Sequence, residues 1–195
     1  MPALLWQDFT RILRFGAGAP RYAERIWVNP SDVWALPLAK KKEVGWDRFA
    51  SARVVSQWPA EHIVTLDRHE KIAFCIEHWK HGLEWNRTSA IGFYSSKSKS
   101  PGDWVTERHR PLDDIFETVR REQRLRSMRE LRPFGFREDG GVRINVGPSG
   151  QLVFCDGGTH RLAMAWILGI SCIPAQIGVV HINALDHLPA LRRKC

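Results

Sequence analysis

The sequence has few cysteines, and no two of them stand at the spacing of a metal clamp or a redox motif. The four lie far apart, at Cys75, Cys155, Cys172 and Cys195. The absence of a C-x-x-C pair argues against a zinc ribbon and against a thioredoxin-type site. Scattered cysteines in a chain of this size are more typical of a reducing compartment than of a disulfide scaffold, so we expect a cytoplasmic protein.

A long apolar segment of the kind that targets or spans membranes is also missing. Near the start of the chain, Asp8 and Arg11 interrupt any signal-peptide core. The stretch 162–180 carries no charge, and its length would suit a membrane span. Gly169 and Pro174 divide it, however, and we interpret it as a buried helix, a turn and a buried strand, with no membrane span.

The composition that is present is that of a globular protein with a basic surface. The chain has 195 residues, of which 44% are hydrophobic and 26% are charged, so we expect one domain over 1–195 with its own core. Lysine and arginine outnumber aspartate and glutamate by 29 to 21, which gives a net charge of +8. This excess favours partners that carry phosphate, which include nucleotides, nucleic acid and anionic membranes.

Hydrophobic periodicity predicts several elements in the first half of the chain. Apolar residues from Leu5 to Leu13 recur at helical spacing, and a second helical pattern covers 70–81. The run Ile26–Val28 indicates a strand. The stretch 95–102 contains only serine, lysine, proline and glycine, which predicts a loop.

A further amphipathic helix is predicted to begin at Pro111. Proline suits the first helical turn, and the acidic side chains of Asp113 and Asp114 complement the positive end of the helix. Six arginines follow in the segment Arg120–Arg132, against only two glutamates. This helix is either a solvated face held by ion pairs or a surface for a phosphate backbone or a partner protein.

The clearest chemical signal follows two predicted strands, Val142–Val146 and Leu152–Cys155. The chain then continues as Asp156-Gly157-Gly158-Thr159-His160-Arg161 and runs directly into an apolar helix. Glycines let the backbone approach a ligand closely, and the first amides of a helix lack partners, so this order is typical of a phosphate-binding loop.

Three side chains of this loop can take part in phosphate binding. We expect Thr159 to cap the helix and to face a phosphate oxygen, with His160 and Arg161 as further donors. The alternative is an ordinary tight turn in which Arg161 pairs with a structural carboxylate such as Asp156.

The same residues resemble the ParB/sulfiredoxin superfamily. The run Gly157–Arg161 resembles the Gly-Gly-Cys-His-Arg signature of sulfiredoxins, and Gly158-x-x-Arg161 resembles the Gly-x-x-Arg box of the ParB N-terminal domain. The order of elements over Val142–Val180 is also similar, whereas 45–100 has no counterpart. The resemblance implies an α/β fold, a small mixed sheet packed with helices, with an N-terminal helix and an insertion around 45–100.

The resemblance also implies a ligand, because members of this superfamily hold the phosphates of ATP, ADP or CTP in the motif loop. That role would fall on five residues, namely Gly157, Gly158, Thr159, His160 and Arg161. Arg110, at the start of the predicted middle helix, is a candidate for a secondary phosphate contact. Sulfiredoxin activity itself is not expected, because Thr159 stands where the catalytic cysteine would be. Cys155 is expected to be an inert buried thiol.

We therefore expect a nucleotide-phosphate-binding protein, and within that class an ATP-, ADP- or CTP-dependent phosphotransferase or hydrolase that uses Mg²⁺. Asp156, the nearest carboxylate, is the candidate general base or metal ligand. The acceptor substrate, a small molecule or a protein, stays open. His78 and His81 form another candidate metal pair, although no third ligand is evident.

Two functions of other classes stay open beside this one. The first is a non-catalytic nucleic-acid-binding or regulatory module that uses the Arg120–Arg132 helix. Even then, we expect nucleic-acid binding to be weak, because only two or three of those arginines could face one groove. The second is a scaffold for protein interactions.

Overall fold

The computed structural model describes residues 2–46, 50–97 and 99–195. The α-helices are α1 (Pro2–Phe15), α2 (Glu70–Trp79), α3 (Ala90–Phe93), α4 (Pro101–His109), α5 (Pro111–Glu122), α6 (Met128–Leu131), α7 (Thr159–Ile167) and α8 (Leu188–Leu191). The strands are β1 (Arg25–Val28), β2 (Val33–Ala35), β3 (Val54–Val55), β4 (Val64–Thr65), β5 (Val142–Val146), β6 (Leu152–Phe154) and β7 (Ile173–His181). Helices packed on a mixed sheet confirm the predicted α/β class.

The strands of the described residues form one sheet in the order β1-β7-β5-β6-β2-β4, and β3 also pairs with β7. The long strand β7 pairs antiparallel with β1 along its first half and parallel with β3 near its end, where Val54 lies opposite Val180. Strand β5 runs parallel to β7, with Val142 opposite Ala175, and antiparallel to β6. The motif loop therefore leaves the sheet at the end of β6, beside the start of β5.

Strands β5 and β7 are buried along their whole length, although polar side chains, among them Arg143 and Asn145, lie on β5. The buried amide of Asn145 on β5 joins the neighbouring strands. Its Nδ2 donates to the Val153 carbonyl oxygen at 3.1 Å, and its Oδ1 accepts from the Val179 amide at 2.7 Å. A buried polar side chain is tolerated here because its donor and acceptor groups both have partners.

Most of the elements expected from periodicity are present. The predicted N-terminal helix is α1, the helix over 70–81 is α2, and the helix from Pro111 is α5. The segment 162–180 comprises most of α7, a turn and most of β7, and it is not one continuous helix. No helix in the described part of the chain is long and apolar enough to cross a membrane.

The arginine-rich segment is not the single helix Arg120–Arg132 that the sequence predicted. Helix α5 ends at Glu122 because Gln123 takes a left-handed conformation, with φ of 49°. After a short turn, Ser127 caps α6, accepting from the Glu130 amide while the Glu130 carboxylate accepts from the Ser127 amide. The arginines therefore lie on two short helices and the turn between them.

The cysteines also differ from expectation. Cys172, after α7, and Cys195 form a disulfide with Cα atoms 5.8 Å apart, where unpaired cysteines were expected. The residues are 23 positions apart in sequence, so only the folded chain brings them together. Cys75 and Cys155 are free and buried. Cys155 is buried as expected, and burial raises the pKa of its thiol to about 12, so the thiol stays protonated at neutral pH.

The segment 45–100, which had no counterpart in the resemblance, contributes to the core as far as the structure describes it. Residues 47–49 and 98 lie outside the described residues. Strand β3 pairs with β7, strand β4 pairs with β2, and α2 packs against α7. Ile72 and Phe74 on α2 are fully buried. Lys71, which directly precedes Ile72 in sequence, is thereby held next to the motif loop.

Candidate phosphate-binding site

The motif loop passes very close to the start of β5. Gly157 and Gly158 have φ values of 98° and 72°, which side chains other than glycine rarely adopt. A Cβ atom on Gly158 would lie 2.7 Å from both the Cα and the amide nitrogen of Val142. Glycine is therefore required at 158 for backbone conformation and for space.

Helix α7 begins without a side-chain cap. Gly158 is the N-cap residue and Thr159 is the first helical residue, so the expectation that Thr159 caps the helix is wrong. Glycine has no oxygen to accept from the first amides, so the uncapped amides and the positive end of the helix dipole are available to a ligand. Thr159 itself is only 6% exposed.

The carboxylate of Asp156, the candidate base or metal ligand, is paired with two lysine side chains. Lys41 Nζ donates to Oδ2, Lys71 Nζ lies 3.8 Å from Oδ1, and the Gly157 amide donates to Oδ1 at 2.9 Å. Burial by itself would raise the pKa of Asp156, but the hydrogen bond from Lys41 and the charge of Lys71 outweigh it and lower the pKa. An ionised, paired carboxylate is a weak base, and here it holds Lys71 beside the loop.

A cavity of about 350 Å³ opens beside the start of α7. It is lined by Lys71, Tyr94, Arg108, Leu112, Ile115, Asp156, Gly158, Thr159, His160, Arg161 and Met164. The structure therefore brings most of the predicted loop residues together around one space. Gly157 lines a different cavity, on the side of Arg143 and Gln176. Arg110 is exposed at the junction of α4 and α5 and is not among the residues that line either cavity.

The charge around the cavity is predominantly positive. Lys71, Arg108 and Arg161 line it, and the carboxylate among the lining residues, Asp156, is already paired with lysine. The guanidinium of Arg108 lies 5.1 Å from the ring centre of Trp104 and 5.9 Å from that of Tyr94. These cation–π contacts orient Arg108 without neutralising its charge. An anion is the ligand that such a cavity attracts.

Arg161 does not form the ion pair with Asp156 that a purely structural turn would have. Its Nη2 donates to the Arg126 carbonyl oxygen, and its Nε is buried without a hydrogen-bond partner among the described residues. Burial lowers the pKa of Arg161, although the carboxylates of Glu138 and Glu130 act in the opposite direction. A guanidinium stays charged at neutral pH, so Arg161 brings a partly satisfied cation to the cavity.

His160 is an uncharged part of the cavity lining. Burial, together with the neighbouring His109, Lys71 and Arg108, lowers its pKa to about 4. Its ring meets that of His109 edge to face, with ring centres 5.4 Å apart. The Nε2 atoms of both histidines are buried and have no hydrogen-bond partner in the described structure. At neutral pH His160 can therefore donate or accept one hydrogen bond, but it adds no charge.

A second cavity, of about 390 Å³, continues from the first. The two share Ile115, Arg161 and Met164. The remaining lining residues are Asp114, Thr118, Val119, Glu122, Arg124, Leu125, Arg126 and Leu131. Helices α5 and α6 thus provide apolar side chains beside the cationic cavity, with charged side chains among them.

The donor groups of this site do not suit a protein-bound Mg²⁺ ion. Magnesium prefers oxygen ligands from carboxylates, and Asp156 offers its oxygens to two lysines instead. No group of three or more potential ligand side chains occurs within the described residues. The His78 and His81 pair is not a site either, because His78 contacts the Leu83 carbonyl oxygen and the Asp113 carboxylate through its two ring nitrogens.

Two cationic residues that line the cavity, Lys71 and Arg108, were not predicted from the sequence. Lys71 lies in a predicted helix and Arg108 in a stretch without a motif, and no local pattern connects either of them with residues 156–161. Comparisons with protein-family models, with curated proteins and with solved structures give no match for this chain. The likeness to the ParB/sulfiredoxin superfamily therefore stays a prediction from the motif.

Proposed function

We propose that this protein binds the phosphate groups of a nucleotide in the cationic cavity at the start of α7. The observation that carries the proposal is the convergence of Lys71, Arg108 and Arg161 on an uncapped helix N-terminus. The carboxylate at the same place, Asp156, is neutralised by Lys41 and Lys71. A phosphate group would find positive charge and hydrogen-bond donors there.

The free energy that each group contributes explains why several groups must bind the phosphate together. A helix N-terminus contributes about 0.3–1 kcal/mol to the binding of an anionic charge at an exposed site. A hydrogen bond between charged groups contributes about 1.5–3 kcal/mol. The helix alone would therefore bind phosphate weakly, whereas the helix with three cations supports specific binding.

The adjoining apolar cavity favours a nucleotide over inorganic phosphate. Ile115 and Met164 line both cavities, so a ligand with its phosphates near Arg161 would place its uncharged part between α5 and α6. Apolar surfaces with a few polar groups are usual where proteins bind planar, partly polar groups such as a base. ATP, ADP and CTP are the nucleotides that we propose to test.

We further propose that the bound nucleotide is used in phosphoryl transfer or hydrolysis, with an acceptor still to be identified. Such reactions depend mainly on positioning and on neutralising charge around the phosphoryl group. Lys71, Arg108 and Arg161 would supply that charge. Asp156 would act by holding Lys71 in place, because its low pKa makes it a poor general base.

Calorimetric titration with ADP, ATP and CTP tests the binding proposal, each titration being run with EDTA and with Mg²⁺. We expect Arg108→Gln to weaken nucleotide binding about tenfold or more, the scale of one lost charged hydrogen bond. The matched control is Arg121→Gln, which removes an exposed arginine of α5 that lines neither cavity. Equal affinities for the wild type and Arg108→Gln, or no binding of any of the three nucleotides, would refute the proposal.

A further inference from the structure

Helix α1 turns an apolar face to the outside of the molecule. Leu5, Trp6, Phe9 and Leu13 are 52%, 65%, 49% and 71% exposed. Their spacing places them on one side of the helix, and the ring centres of Trp6 and Phe9 are 5.6 Å apart. Large apolar side chains that share one exposed face usually mark a surface that binds something.

The opposite side of α1 fixes this orientation. Asp8 is 4% exposed, and its carboxylate accepts from the Tyr22 amide at 2.7 Å and from Arg137 Nη1 at 2.7 Å. Arg11 Nη1 donates to the same carboxylate at 3.0 Å. These hydrogen bonds of the buried Asp8 carboxylate attach the polar side of α1 to the rest of the protein. The apolar face of the helix therefore points away from them.

Basic side chains surround the end of α1. Arg14 and Arg21 are exposed, and Arg192 Nη2 donates to the carbonyl oxygens of Gly18 and Ala19 just beyond the helix. Arg193 and Lys194, which follow Arg192 in sequence, are also exposed, and Lys194 Nζ lies 5.3 Å from the ring centre of Trp27 on β1.

The carboxylates in this region have partners of their own. Asp8 is paired with Arg137, and Glu24 is paired with Arg192. The Tyr22 hydroxyl donates to Asp139 at 3.3 Å. Asp139 keeps its negative charge, because a neutral hydroxyl does not cancel it, but the exposed Arg14 and Arg21 leave an excess of positive charge near the end of α1.

We propose that α1 lies on the surface of an anionic lipid bilayer, with its apolar face in the interface. Helices that bind in this way combine tryptophan, phenylalanine and leucine on one face with nearby cations that contact lipid headgroups. At about 1.5 Å per residue, 14 residues extend about 21 Å, less than the roughly 30 Å of a bilayer core. The helix therefore lies along the surface.

A second copy of the chain is a less suitable occupant of this face. Stable interfaces usually bury about 800 Å² on each partner. One face of a helix about 21 Å long and about 10 Å wide supplies far less. A bilayer needs no complementary surface of fixed shape, so a small apolar face with adjacent cations is sufficient.

Vesicle sedimentation tests this proposal, with vesicles of phosphatidylcholine alone and vesicles that also contain about 30% phosphatidylserine. We expect the wild type to bind the anionic vesicles at least tenfold more strongly than the neutral ones. Trp6→Ser should weaken that binding about tenfold or more. The matched control, Trp34→Ser, removes a tryptophan that is 47% exposed on β2 and should bind like the wild type.

Three results would overturn the membrane proposal. The first is the absence of binding to anionic vesicles. The second is equal vesicle binding by the wild type and Trp6→Ser, which would assign the attraction to the general positive charge. The third is a dimer in sedimentation velocity experiments that Trp6→Ser dissociates, which would assign the face to a second copy of the chain.

Discussion

Two glycines determine the shape of the motif loop at the scale of single residues. Gly157 and Gly158 both adopt positive φ, but only Gly158 also lies against the backbone of Val142. The Gly-Gly pair predicted a tight turn from sequence. The contact with Val142 was not predictable, because it joins residues that are distant in sequence and depends on how β5 and β6 pair in the sheet.

Substitutions at Gly158 and Gly169 distinguish the cost of a positive φ from the cost of the close contact with the Val142 backbone. Alanine in the left-handed region costs about 1–2 kcal/mol. Gly158→Ala must in addition displace the Val142 backbone, whereas a Cβ on Gly169, at φ of 67°, would meet no atom within 4 Å. We expect Gly158→Ala to lose clearly more unfolding free energy than Gly169→Ala in urea titrations. Equal losses would show that the close approach to β5 is unimportant.

The low pKa of His160 predicts a dependence of stability on pH. The folded-state pKa of about 4 lies below the ordinary 6.5, so the unfolded chain binds more protons between these values. The contribution of His160 to stability is therefore fully present above about pH 6.5 and is lost as the pH falls toward about 4. Urea unfolding of the wild type and His160→Gln at several pH values measures it.

We expect the stability advantage of the wild type over His160→Gln to shrink between pH 6.5 and pH 4. The comparison of the two proteins removes the contributions of groups that do not contact His160, such as His69, whose pKa burial also lowers. A difference between wild type and variant that stays constant over this range would contradict a buried, neutral His160.

At the scale of elements, α6 supports the site indirectly. Its capping box, formed by Ser127 and Glu130, fixes the turn after α5, and the Arg126 carbonyl oxygen in that turn accepts from Arg161. The sequence Ser127-x-x-Glu130 is a helix-start signature. It could have corrected the prediction of one long arginine-rich helix. The left-handed conformation of Gln123, which ends α5, had no comparable sequence signal.

Removing the cap of α6 should affect stability and ligand binding together. Loss of an N-cap oxygen usually costs about 0.5–2 kcal/mol, so we expect Ser127→Ala to lower the unfolding free energy by that amount. Nucleotide affinity should fall as well, because the carbonyl oxygen that orients Arg161 becomes less fixed. Ser149→Ala, in the exposed turn between β5 and β6, is the control for both measurements. An unchanged nucleotide affinity in Ser127→Ala would show that α6 does not support the site.

The agreement between sequence and structure is greatest for α7, β5 and β6, where periodicity and turn residues are both clear. It is least for the contacts that complete the site. Lys71 reaches the cavity because α2 packs on α7, and Arg108 reaches it because α4 packs against α5, which also lines the cavity. These are consequences of tertiary packing, and so is the disulfide between Cys172 and Cys195.

At the scale of the whole molecule, the basic charge is not concentrated in a nucleic-acid surface. Arg120 is paired with Glu117, Arg124 with Glu130, and Arg126 with Glu122. Each arginine that pairs with a glutamate is less available to neutralise a backbone phosphate. This supports a solvated face over the alternative of a nucleic-acid-binding surface.

Salt dependence distinguishes the two kinds of ligand. Each phosphate contact on duplex DNA adds about 0.9 to the slope of the logarithm of affinity against the logarithm of salt concentration. Two or three available arginines therefore predict weak binding that is lost at about 0.15 M salt, while nucleotide binding persists. Fluorescence anisotropy with duplex DNA and single-stranded RNA measures the nucleic-acid binding. Submicromolar nucleic-acid binding at this salt concentration would favour the alternative function.

The most direct test of the central claim is an NMR titration of the isotope-labelled protein with ADP, followed through its backbone amides. If phosphate binds at the start of α7, the largest shifts should occur at the amides of Gly157 to Arg161. The amides of Gly147, Ser149 and Gly150, in the turn between β5 and β6, should be unaffected and serve as an internal control. Shifts confined to other regions, or no shifts at a saturating ADP concentration, would contradict the assignment of this cavity as a nucleotide site.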